Sequence, residues 1–124
     1  MTKKIMLVED NLDLTYVVKR RLEKMGNEYE IIGAPSWSEC LKLLTSGIIP
    51  DLILLDIMLP ELNGWDIFAK LQERSEWRSI PVIFLTAKKD QYSKGFGELA
   101  ASDYIEKPFE IANLKMRIDK ILQR

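Results

Sequence analysis

The chain has 124 residues, 47% of them hydrophobic and 30% charged, which is enough to bury one proper core. A formal charge of −1 excludes a bulk attraction to nucleic acid or to an anionic membrane, and no apolar run approaches a membrane span or the core of a signal peptide. There is no histidine and one cysteine, Cys40, which rules out His-based zinc sites, Ser-His-Asp triads, phosphohistidine chemistry on this chain and an internal disulfide; a cytoplasmic location fits.

Lys4-Ile5-Met6-Leu7-Val8 is a short apolar run ending in two acids, Glu9 and Asp10, and predicts a buried first strand. A helix follows, capped by Asn11 or Asp10, with Leu14, Val17, Val18, Leu22 and Met25 as its inner stripe and Gly26 as its stop. Glu28 to Ala34 predicts a second strand. Ser36 and Glu39 form a capping-box pair that opens a second helix, with Trp37, Cys40, Leu41 and Leu44 facing inward and Gly47 ending it.

The stretch from Pro50 to Pro60 carries the most information. Leu52 to Leu55 are too few for a helix and have no polar face, so they predict a strand covered on both sides, and that strand ends in Asp56. Trp65 to about Arg74 predicts a third helix through Ile67, Phe68 and Leu71, and Ile80 to Thr86 a fourth strand. Asp90 to Leu99 predicts a fourth helix, short or frayed because of Gly95 and Gly97. Asp103 to Glu106 predicts a fifth strand, running into Lys107-Pro108-Phe109, and Ile111, Leu114, Ile118 and Ile121 mark a last helix.

Strands alternating with helices imply an α/β fold, a doubly wound five-stranded parallel sheet with five helices. The flavodoxin-like strand order 2-1-3-4-5 puts its switch point between strands 1 and 3. Glu9, Asp10 and Asp56 then converge at that crevice. Three acids repel one another unless a cation sits among them, and an all-oxygen set suits magnesium, with manganese as a substitute ion. Thr86 and Lys107 stand at neighbouring strand ends. A carboxylate nucleophile, a divalent metal, a hydroxyl and a lysine around one point match what an incoming phosphoryl group needs.

Throughout its length the sequence resembles the receiver domains of two-component response regulators, of the chemotaxis-regulator type. The resemblance rests on Leu7-Val8-Glu9-Asp10-Asn11, on Asp51 to Pro60 with Gly64, on Thr86-Ala87 and on Lys107-Pro108-Phe109, in that order and spacing. It implies that Asp56 accepts a phosphoryl group from a phosphohistidine of a sensor histidine kinase or a histidine phosphotransfer protein. It also implies that Glu9, Asp10, Asp56 and the main-chain carbonyl of Met58 hold magnesium, and that Thr86 and Lys107 contact the phosphoryl oxygens while small Ala87 leaves them access. The Lys107–Pro108 bond is expected to be cis. Thr86 and Tyr104 would form the switch that alters the surface of helix 4, strand 5 and helix 5, which a downstream effector protein reads.

The segment from Thr86 to Lys107 looks one residue shorter than in many members, and Met58 and Lys88 stand where the family tunes water access. Met58 cannot orient water by hydrogen bonding, so slow self-dephosphorylation is expected. The chain reads as a single receiver domain over 1–124 without an output domain, a monomer or weak dimer. By that resemblance it is expected to be a signalling phosphoacceptor rather than an enzyme, with no direct contact to nucleic acid or membrane. Other readings of the same fold are an aspartate-nucleophile phosphohydrolase, which would want a second Asp where Met58 stands, an inactive docking module, and an FMN carrier, whose phosphate Glu9 and Asp10 would repel.

Overall fold

The computed structural model describes residues 2–26, 28–60, 62–87 and 102–123. Its strands are β1 (Lys3–Val8), β2 (Tyr29–Ala34), β3 (Leu52–Asp56), β4 (Val82–Thr86) and β5 (Asp103–Glu106). The helices among the described residues are α1 (Leu12–Lys24), α2 (Trp37–Thr45), α3 (Gly64–Gln72) and a C-terminal helix (Ile111–Leu122). The expected fourth helix, with Gly95 and Gly97, lies outside the described residues, as does Lys88.

All strand pairs are parallel and the order is β2-β1-β3-β4-β5. Side chains alternate across each strand, so every strand feeds two cores. On one face Ile5, Leu7, Leu52, Leu54, Ile83, Leu85 and Ile105 meet Val18 and Leu22 of α1 and Leu114 and Ile118 of the C-terminal helix. On the other, Met6, Val8, Ile53, Leu55, Val82 and Phe84 meet Cys40 and Leu44 of α2 and Ile67, Phe68 and Leu71 of α3. β3 and β4 are buried at every position, which is why they read as unbroken apolar runs. Edge strand β2 instead alternates, with Glu30 exposed.

Helix ends follow local chemistry. The side chains of Asn11, Ser36 and Asn63 accept backbone N–H bonds from Leu14, Glu39 and Asp66, satisfying donors that a helix start leaves open. Gly26 and Gly47, at φ +129° and +100°, carry the left-handed turns after α1 and α2.

Three expectations are corrected. Val17 and Met25 are exposed rather than buried, because the buried stripe of α1 is narrower than the apolar pattern and Met25 already stands beyond the helix. β4 begins at Val82, after Pro81, which has no N–H to donate and joins β3 only through its carbonyl, accepting the Ile53 N–H at 3.0 Å. α3 starts one residue earlier than expected, at Gly64, and its last helical residue is Gln72. The connection from α3 to β4 also buries Trp77 at 3% exposure, a core residue that no periodicity marks.

Candidate functional site

Glu9, Asp56 and Thr86 are the buried polar or charged residues among the described positions, and each stands at or just past the carboxyl end of a strand. The switch point between β1 and β3 brings the first two together. Oxygens of Glu9, Asp10 and Asp56 lie within 4.8 Å of one another. Asp10 is exposed and the other two are buried, so the cluster has a sealed floor and an open side.

Lys107, just past β5, closes the arrangement. Its Nζ lies 2.7 Å from Glu9 Oε1 and 3.2 Å from Asp56 Oδ2. Burial opposes the ammonium charge, but the hydrogen bond to Glu9 and the charges of Asp56 and Glu9 outweigh it, holding the lysine pKa above its usual value. The remaining oxygens are also held. Glu9 Oε2 accepts the Asn11 N–H at 3.1 Å, and Asp56 Oδ1 accepts the Met58 N–H at 3.2 Å. These bonds fix the two carboxylates from the loops after β1 and β3.

The backbone beneath Asp56 is clamped. Ile57 N–H donates to Leu85 O at 3.1 Å, and Gly64 N–H donates to Ile57 O at 2.9 Å. A Cβ on Gly64 would stand 2.5 Å from Asp56 O and 2.8 Å from Ile57 Cα, so only glycine lets the start of α3 rest on this turn. A poor helix former in the first turn of α3 was the available sequence signal for that contact.

Thr86 Oγ1 donates to the Ala87 carbonyl at 2.9 Å, and Lys107 N–H donates to Thr86 O at 2.7 Å. The Lys107–Pro108 peptide is cis. Beside the acids a groove of about 390 Å³ is lined by Asn11, Leu14, Lys107, Pro108 and Phe109. Tyr104 belongs to a separate group of rings. It stacks on Phe84 with centroids 5.6 Å apart and lies 6.3 Å from Trp65, which itself packs on Phe84 at 4.4 Å. Neither Trp65 nor Phe84 was singled out by sequence reasoning as a neighbour of Tyr104. Their parallel strands place Phe84 opposite Tyr104 in register.

The donor set can be tested against a metal. Three carboxylates, oxygen-only and open on one side, suit a hard divalent cation that keeps some of its water. The residues fit magnesium.

The response regulator receiver domain family matches residues 5–119. The chain belongs to this family. Among curated relatives, the transcriptional regulatory protein CiaR of Streptococcus pneumoniae is 42% identical over 122 residues, covering 98% of this chain and 52% of that protein. The alkaline phosphatase synthesis transcriptional regulatory protein PhoP of Bacillus subtilis is 37% identical over 125 residues, covering 100% of this chain and 50% of that protein. This receiver thus spans about half the length of these relatives. Among solved structures, the receiver domain of the sensor histidine kinase PA1611 of Pseudomonas aeruginosa superposes with a TM-score of 0.85 at 26% identity, covering both chains fully; it has a magnesium ion in its active-site cleft.

Receiver domains are signalling phosphoacceptors of two-component systems, phosphorylated by histidine kinases and linked to effector domains, and they bind magnesium at an acidic pocket. In this receiver that pocket is the cluster of Glu9, Asp10 and Asp56. No helix among its described residues is long and apolar enough to cross a membrane.

Proposed function

We propose that Asp56 is the phosphoacceptor of this receiver, taking a phosphoryl group from the phosphohistidine of a sensor histidine kinase or histidine phosphotransfer protein. The observation that carries this reading is the position of buried Asp56 in an acid cluster at a strand end, with a lysine ammonium 3.2 Å from Oδ2. A carboxylate oxygen of Asp56 attacks phosphorus, the bond from phosphorus to the donor's imidazole nitrogen breaks, and the electron pair stays on that nitrogen. Lys107 follows the charge outward from the carboxylate onto a phosphoryl oxygen. Thr86 can supply a hydrogen bond to a second oxygen once it gives up the Ala87 carbonyl, an exchange of about 1 kcal/mol on either side. Ala87, next in the chain, leaves the oxygens accessible.

Glu9, Asp10, Asp56 and the Met58 carbonyl would hold magnesium, or manganese in its place. When bound, the ion neutralises the charge that otherwise builds up between carboxylate and phosphate. Movement of Thr86 toward the phosphoryl group would change the space behind it, and Tyr104, packed on Phe84, is the ring available to respond. Tyr104 and β5 would then present a different face to a downstream effector. We take residues 1–124 to act as one receiver unit, monomeric or weakly dimeric, in a reducing cytoplasm. Its part in the chemistry is its own phosphorylation and dephosphorylation.

Incubation with acetyl phosphate and magnesium, followed by intact-mass measurement, tests the assignment. One phosphoryl adduct that needs the metal and disappears in Asp56→Asn is expected. An adduct that survives in Asp56→Asn would refute it. For the switch, a Tyr104→Ala variant unchanged in both phosphorylation and effector binding would remove Tyr104 from the mechanism.

A further inference from the structure

Met58 is the side chain beside Asp56 that the transfer chemistry leaves unused. Its backbone N–H is tied to Asp56 Oδ1 at 3.2 Å, while the residue is 52% exposed. Among the described methionines, Met6 is sealed in the sheet, and Met25 and Met116 are exposed elsewhere, at the end of α1 and on the C-terminal helix. Met58 is therefore the one described thioether that is both open to solvent and anchored at the acid cluster.

A thioether is a weak acceptor and gives an approaching water no firm hydrogen bond. A hydroperoxide changes that. The sulfur lone pair takes the terminal peroxide oxygen, the O–O bond breaks, and water or an alcohol leaves carrying the proton. The sulfur is oxidised by two electrons and the peroxide is reduced. The product, methionine sulfoxide, has nearly the same reach but ends in a strong oxygen acceptor, and sulfoxide reductases return it to the thioether.

We propose that Met58 is an oxidation site through which hydroperoxides shorten the life of the aspartyl phosphate. The sulfoxide oxygen accepts a hydrogen bond from a water approaching phosphorus and orients it. That water's oxygen bonds to phosphorus, the bond from phosphorus to the Asp56 oxygen breaks, the carboxylate is restored, and inorganic phosphate leaves with the water's protons. Cys40 does not compete for the oxidant, because it is fully buried and burial pushes its thiol up to about 12. The inference rests on Asp56 being the phosphoacceptor.

The test uses hydrogen peroxide on the whole chain, with peptide mass mapping to locate each added oxygen. Oxidised and untreated samples are then phosphorylated with acetyl phosphate and magnesium, desalted, and followed by intact mass as the adduct decays. Each variant is compared with its own untreated sample. Wild type and Met116→Leu should lose phosphate severalfold faster after oxidation, whereas Met58→Leu should keep one lifetime. Untreated Met58→Gln, which carries a fixed acceptor of similar reach, should decay faster than untreated wild type. The proposal is overturned if wild type with mapped Met58 sulfoxide keeps its lifetime, if Met58→Leu stays sensitive, or if Met116 is converted while Met58 is not. Absence of any adduct on untreated wild type would overturn the phosphoacceptor reading as well; a normal adduct with an unchanged lifetime overturns this proposal alone.

Discussion

Replacing Gly64 by alanine tests how far the site depends on one close backbone approach. The added Cβ would meet Asp56 O at 2.5 Å, Ile57 Cα at 2.8 Å and the Asp56 carbonyl carbon at 3.1 Å. All three are main-chain atoms, held in turn by the Gly64 and Ile57 hydrogen bonds, so no flexible side chain can yield. Forcing a methyl group into packed structure costs about 1–3 kcal/mol, and contacts this short point to the upper end. Alanine's better helix propensity returns at most about 1 kcal/mol. A net loss near 2 kcal/mol, with an m-value of about 1.5 kcal/mol/M, lowers the urea midpoint by roughly 1 M. Because the clash falls on Asp56 itself, uptake of phosphate from acetyl phosphate should slow as well. Gly47→Ala is the control. Its Cβ meets nothing within 4 Å, its φ of +100° imposes strain alone, and it precedes the start of β3, whereas Asp56 stands at the other end of that strand. That variant should lose about 1–2 kcal/mol and keep its phosphorylation rate. A Gly64→Ala protein as stable as wild type, or a phosphorylation defect equal in the two variants, would refute the clamp.

Lys107→Met should be less stable than wild type near neutral pH, since Glu9 and Asp56 lose their shared cation. Folding raises the Lys107 pKa above 10.5, so its stabilisation is fully present below about 10.5 and is lost as pH rises through the folded value. Urea midpoints of the two proteins should therefore converge above about pH 10.5, and a constant gap would count against the pairing. Native Cys40 should resist iodoacetamide at about pH 8 and react once urea unfolds the chain, read as a mass increment; modification of the native protein would show the burial to be wrong. Arg117→Ala removes bonds of 2.8 and 2.9 Å to the Asp103 carboxylate and 3.2 Å to the Tyr104 carbonyl. The pair is partly exposed, so a loss of about 0.5–1.5 kcal/mol is expected, with faster amide exchange confined to β5. Uniform exchange changes across the sheet would contradict a local role.

The strand order and the meeting of Glu9, Asp10 and Asp56 were readable from the sequence, because buried strands leave unbroken apolar runs and those of β1 and β3 lead into carboxylates. Lys107 was readable as a member of the site, but its contacts were not. Whether an ammonium sits nearer Glu9 or Asp56 depends on ångström-scale loop geometry that spacing does not encode. Residue pattern overstated the inner face of α1, where Val17 and Met25 are apolar yet exposed. It missed Trp77, which is buried by a turn rather than by a repeating element. Gly64 stood in the motif without a reason, and its reason is the carbonyl of Asp56. The placement of Phe84 beside Tyr104 follows from the pairing of β4 with β5, which is visible only once the register is known.

The three rings also make the protein an optical instrument. Trp65, Phe84 and Tyr104 pack in series, and Tyr104 lies 6.3 Å from the indole. At that separation excitation absorbed by the phenol passes to the indole before the phenol can emit, so Tyr104 contributes to the spectrum through Trp65. Transfer at that range is close to complete, so a rearrangement of the β5 edge is registered in the indole's own emission, which responds to the rings packed around it. The conformation of the β5 edge is thereby encoded in light that the unlabelled chain emits by itself.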